Sequence, residues 1–164
     1  MKKISITTIF ILFTSTFLLA QDNIPELNQK IIDYVKSVIG TKVDRGECWD
    51  LANQALQKAD ADWDRAFVYG IAVDPKKDEI FPGDIIQFEN VVIKYKKENT
   101  YYTETMEQHT AIVYKVKQKG VYEIAHQNTQ FSGRKVGIST LNINTVVDGK
   151  MYFYRPTKKR SSHD

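Results

Sequence analysis

The sequence predicts an α+β domain in which N-terminal helices pack on an antiparallel β-sheet of about five to six strands. Two observations and their order predict it. Between residues 24 and 59, apolar residues recur at steps of three and four in two stretches, the spacing of one helix face. From residue 82 onward the chain shows short runs rich in β-branched residues, separated by turn signals, which read as strands. Helices first and a meander of strands afterwards give the antiparallel arrangement.

The composition suits that class. The chain has 164 residues, 42% of them hydrophobic and 26% charged, with a net charge of +3, the balance of a globular protein rather than a disordered or collagen-like one. Met1-Lys2-Lys3, a mostly apolar stretch from Ile4 to Leu19, and Ala20 before Gln21-Asp22 have the layout of a secretory signal peptide over residues 1–20. Its removal leaves 144 residues and, with Lys2 and Lys3 gone, a charge of +1. That near-neutral balance argues against nucleic acid as the partner, because phosphate binding needs a concentrated basic surface. No other apolar run approaches the ~20 residues that cross a bilayer, and no cysteine follows Ala20 directly, so a lipid anchor at that point is not expected. The expected location is secreted or periplasmic. Residues 21–157 suit one domain, followed by a polar tail over 158–164; a chain of this length buries roughly 70% of its unfolded surface.

In chain order, residues 24–39 place Ile24, Leu27, Ile31, Ile32, Val35, Val38 and Ile39 on one helix face, and Gly40 stops the helix. Residues 41–47 are polar and contain Gly46, so they read as a loop. A second helix starts at or just before Cys48, with Leu51, Ala52, Ala55, Leu56 and Ala59 at helical spacing. Asp60–Asp64 is an acidic connector. Pro82-Gly83-Asp84 turns the chain into a strand at Ile85–Phe88, and Val91–Tyr95 continues it or forms a neighbour. Residues 96–108 read as a surface hairpin or loop. His109–Val116 is a strand, Lys119-Gly120 a turn and Val121–Asn128 the returning strand; Val136–Leu141 and Lys150–Tyr154 supply two more.

The chemistry starts at Cys48, the one cysteine of the chain, which therefore forms no internal disulfide. A thiol at a helix N-terminus meets unpaired N–H groups and the positive end of the helix dipole. These would lower its pKa and hold the oxyanion of an attacked carbonyl. The alternative is a small core residue, since free cysteine is often buried. His109 opens a strand, and period two puts it on one face with Ala111 and Val113. If those two face the helix, His109 does as well, where it could take the thiol proton and return it to a leaving group; a hydrogen-bonded sheet-end histidine is the competing reading. On the neighbouring strand, His126 and Asn128 share a face by alternation while Gln127 points the other way. Either could orient His109, or the pair could simply begin a loop.

Gly46-Glu47-Cys48-Trp49-Asp50-Leu51-Ala52, Pro82-Gly83-Asp84-Ile85-Ile86-Gln87-Phe88, Gln108-His109-Thr110-Ala111-Ile112-Val113 and His126-Gln127-Asn128, in this order, resemble the CHAP family. These are cysteine- and histidine-dependent amidohydrolases and peptidases, related to NlpC-type endopeptidases within the papain-like superfamily. The resemblance implies a papain-like fold, Cys48 as nucleophile and His109 as base. Its third residue is His126 or Asn128, with His126 standing where the CHAP pattern has an acid and NlpC-type enzymes use a histidine. It implies a peptide or peptidoglycan-like substrate, cleaved through a thioester. A non-catalytic binding module on the same fold and an exported effector hydrolase are the competing readings.

Asp84 is expected to serve the turn rather than catalysis. Trp49 walls the cleft or packs in the core, packing being favoured, and loops 65–80 and 94–108 are expected to shape the cleft. Asp60, Asp62 and Asp64 invite a calcium loop, but Arg65 and Ile71 stand where an EF-hand needs glycine and glutamate. No cofactor and no metal are expected.

Overall fold

The structure, a computed structural model, describes residues 24–159. The expected signal peptide and residues 160–164 of the expected tail lie outside the described residues. Two helices come first, α1 (Glu26–Val38) and α2 (Cys48–Lys58). They bury the predicted faces: Leu27, Ile31, Ile32 and Val35 on α1, and Leu51, Ala52, Ala55 and Leu56 on α2. The strands follow as β1 (Ala61–Asp62), β2 (Ile71–Val73), β3 (Ile85–Lys97), β4 (Thr100–Gln118), β5 (Val121–His126), β6 (Gly137–Asn142), β7 (Val146–Arg155) and β8 (Thr157–Lys158). Six of them form one antiparallel sheet in the order β2-β7-β3-β4-β5-β6, and β1 pairs with β8 in a small second sheet. Lys158, expected to open the tail, therefore lies in a strand, and its ammonium also meets Glu26 at 3.1 Å.

The sheet is buried on both faces. One face, carrying Ile85, Ile112 and Ala125, packs against both helices. The other carries Ile86, Phe88, Ala111, Val113, Ile124, Leu141 and Phe153 and forms a second core. The alternation along β3 changes phase at Asn90. Phe88 and Val91 are three positions apart yet share the second core, which strict period two forbids. Asn90 has a positive φ of 51°, and the register of β3 against β7 shifts between Glu89 and Ile93, as a bulge produces. The bend lets the outer half of β3 close over the second core. Gly149 makes it possible, since a Cβ there would collide with the Asn90 carbonyl.

The Pro82-Gly83-Asp84 turn sets the start of β3. Asp84 is fully buried and accepts from Phe81 N at 2.9 Å, Asn28 Nδ2 at 2.8 Å and Arg155 Nη2 at 3.0 Å. It thus joins α1, β3 and β7, a structural role, as expected. Residues 96–108 form the outer arms of the β3–β4 hairpin, with Lys97 opposite Thr100.

Candidate active site

The loop ahead of α2 is fixed before the thiol is presented. Gln127 is fully buried; its amide accepts from Val43 N at 3.2 Å and donates to Val43 O at 3.0 Å and Glu47 O at 2.7 Å. Asp50, in the first turn of α2, accepts from Glu47 N at 3.0 Å and from Arg45 Nη2 at 2.8 Å. A carboxylate here satisfies a free N–H group and suits the positive end of the helix. Asn128 donates to Glu47 Oε2 at 2.8 Å, and Arg134 donates to Arg45 O at 2.9 Å. The end of β5 and the segment after it therefore clamp residues 43–47, and Cys48 begins the helix.

Cys48 is half-buried with a free thiol. The N–H groups of Thr110, Trp49 and Cys48 itself are aimed at its sulfur and lower its pKa, but burial outweighs them and pushes the thiol above its ordinary value, with Glu47 adding to the rise. The depressed pKa expected from the helix N-terminus is thus overridden, because desolvation penalises the thiolate more than three amides reward it. The sulfur opens on a groove of about 490 Å³. Trp49, Arg45 and the segment Arg65–Phe67 form one side, and Gln108 and Thr110 of β4 the other. Trp49 walls this groove and also donates from its indole to Ala66 O at 2.9 Å, so the packing role favoured from sequence is only half of its position. Behind the groove, Tyr69 OH lies 3.1 Å from Thr110 Oγ1, which donates to Gln87 Oε1 at 2.8 Å.

His109 shares a sheet face with Ala111 and Val113, as period two requires, but it is not the helix face. Its ring lies 5.9 Å from Phe88, a member of the second core, while Thr110 and Ile112 look toward α2. The expectation that His109 faces the helix is corrected here: Ala111 and Val113 pack into the second core, and His109 goes with them. The histidine and the sulfur nevertheless adjoin one strand edge. The β4–β5 ladder ends at the pair Ile112↔Ala125, so residues 109–110 have no β5 partner. Thr110 lines the same groove as Cys48. Cys48 thus faces the stretch of β4 that β5 leaves unpaired, and His109 is the residue before Thr110 on it.

His126 joins His109. His109 Nε2 and His126 Nδ1 are 2.8 Å apart, and His126 Nε2 is 2.8 Å from Ser139 Oγ. Both rings are buried. Burial lowers the pKa of His109 to about 4, and burial together with repulsion from His109 lowers that of His126 to about 3, so both are neutral near pH 7. His109 Nδ1 has no hydrogen-bond partner among the described residues and is not one of the sealed, unpaired atoms. Asn128 does not approach this pair. Its φ of +62° breaks the alternation after His126, and its amide turns to Glu47.

Of the four residues singled out by sequence, the structure thus joins His109 to His126, sets Cys48 against the amide next to His109, and directs Asn128 to the loop. Sequence reasoning missed Ser139, Thr110 and the loop-clamping role of Gln127. Alternation separated Gln127 from His126, but with the histidines expected to face the helix it turned Gln127 away from the loop that it clamps. Ser139 needed the pairing of Ile124 with Ser139, which no local pattern encodes.

The profile of the family described as the AIM3/BBC1 cysteine proteinase-fold domain matches residues 25–163. Curated proteins give no match. A solved structure titled "The crystal structure of Ly7917" is similar at 15% identity and a TM-score of 0.45, covering 77% of this chain. The chain spans 62% of that structure's length. With the family's profile covering the helices, the sheet and the thiol, the chain belongs to the AIM3/BBC1 cysteine proteinase-fold domain family.

Proposed function

We propose that the protein is a cysteine hydrolase of amide or peptide bonds of the CHAP type, exported and acting on peptide or peptidoglycan-like substrates. The carrying observation is the half-buried free thiol at the start of α2, open to the groove; the free N–H groups of the helix N-terminus lie beside it. A substrate carbonyl placed there meets both a nucleophile and oxyanion donors. The first step requires the His109 ring to reach the groove around the open edge of β4; the S–H proton then passes to His109 Nδ1 as sulfur bonds to the carbonyl carbon, and the carbonyl electron pair moves onto oxygen. Collapse of that oxyanion expels the amine, which takes the proton from His109, and a thioester remains. Water then gives one proton to His109 and adds its oxygen to the thioester. The acid leaves, and the proton returns to sulfur. Because the resting thiol and imidazole are both neutral, the proton moves during attack rather than before it.

Incubation with muropeptides and with unstructured peptides, read by mass spectrometry, tests the reading. The expected result is cleavage that a folded Cys48→Ala variant loses entirely, and persistent cleavage by that variant excludes the mechanism. Amino-terminal sequencing of exported protein should find Gln21 first. A second reading, a binding module, is favoured by the raised thiol pKa. Ligand retention by wild type without any turnover, and with no thioester trapped, would select it.

A further inference from the structure

We propose that Ser139 is a positioning residue which, through His126, keeps the acceptor nitrogen of His109 free of a proton; the inference rests on the reading of Cys48 and His109 as nucleophile and base. A neutral imidazole carries one N–H and one lone pair, so the chain His109–His126–Ser139, with its two 2.8 Å contacts, has two possible polarities. In one, His109 Nε2–H donates to His126 Nδ1, and His126 Nε2–H donates to Ser139 Oγ. His109 Nδ1 then has a lone pair and can accept a proton. In the other, Ser139 O–H donates to His126 Nε2 and His126 Nδ1–H donates to His109 Nε2. His109 Nδ1 then carries a proton and cannot act as a base.

Ser139 is what the first polarity requires. A second histidine can accept from His109 only if its own proton sits on Nε2, and a buried N–H needs an acceptor. Ser139 Oγ is that acceptor. It is half-buried on β6, and it projects beside Ile124 on the face that carries the histidines. The other neighbour of the His126 ring is Phe131, at 5.4 Å between centroids, which offers no oxygen. When His109 Nδ1 takes the thiol proton, the positive ring still donates Nε2–H to His126, and His126 donates onward to the hydroxyl. No proton leaves the chain, and the charge is shared along two hydrogen bonds.

The test uses ¹⁵N spectra of the imidazoles, with the third histidine removed by His163→Gln, and the rate at which iodoacetamide alkylates Cys48. As the chain has one cysteine, that rate reports Cys48 alone. In wild type, the protons of both buried rings should lie on Nε2. Ser139→Ala and Ser139→Val should each redistribute the His126 proton and slow alkylation about ten-fold, while Ser139→Thr restores both readouts. Thermal unfolding verifies that each variant is folded. Wild-type spectra with the proton on His109 Nδ1 overturn the proposal. So do unchanged spectra and rates in Ser139→Ala and Ser139→Val when His109→Gln slows alkylation. If His109→Gln itself leaves the rate unchanged, it is the hydrolase reading that falls, and the role of Ser139 with it.

Discussion

Gln127 shows how one polar side chain can be as structural as a core leucine. It is 0% exposed, and every polar atom of its amide is spent on backbone groups of Val43 and Glu47. Gln127→Leu keeps the volume but leaves those groups buried without partners, so it should cost about 2–4 kcal/mol in urea unfolding. The same change should alter the alkylation rate of Cys48, because the loop that sets the helix start is released; a variant as stable as wild type would show that water replaces the amide. At this scale the sequence exposed residue types and alternation: the cysteine at a helix start, and His126 and Gln127 on opposite faces. It did not expose the turn of Asn128, because a positive φ at one residue is decided by the contacts of its neighbours. The upward shift of the Cys48 pKa was equally hidden, since the burial that causes it arises from tertiary packing that no local pattern encodes.

Elements were legible where pattern and punctuation agree. Both helices fall within two residues of expectation, since their apolar spacing is regular and Gly40 and Gly46 bracket the loop. The β3–β4 hairpin was foreseen only as alternatives, because residues 96–108 are polar and exposed and their ladder is held mainly by backbone pairing. Strand β2 gave no signal: Ile71 is 63% exposed, and three residues at a sheet edge have no buried face to encode. The start of β3 depends on Gly83, whose φ is +90° and whose Cβ would lie 2.6 Å from the Asn28 carbonyl. Gly83→Ala combines left-handed strain with a backbone collision and should cost at least about 2 kcal/mol. Since this turn also delivers Asp84 to Asn28 and Arg155, the loss should appear as a single cooperative transition at lower urea. An unshifted midpoint would mean the turn re-forms elsewhere.

Across the whole molecule, the two-faced burial of the sheet explains why a candidate base sits where the helices are not. Helices cover only one face, so β4 must place apolar residues on both. His126 ends β5, and His109 lies within β4 just beyond the last β4–β5 pair, both on the face that closes over the second core. The sequence could show alternation but not which face the helices take, because both faces are apolar. That burial has a consequence for stability. Both histidines have folded pKa values below the unfolded 6.5, at about 4 and about 3. Between those values and 6.5 the unfolded chain binds more protons, so stability is full above pH 6.5 and falls as the pH drops. Each histidine contributes about 1.4 kcal/mol per pH unit inside its window. Asp84, whose pKa burial raises, acts in the opposite sense, so the histidine effect is read as a difference between proteins. Urea unfolding at about pH 7 and about pH 5 should show wild type losing more stability than His126→Gln over that interval, even though the variant begins less stable. Equal losses in the two proteins would mean that the folded state admits a proton to the pair, and that the two rings are not held neutral by their burial.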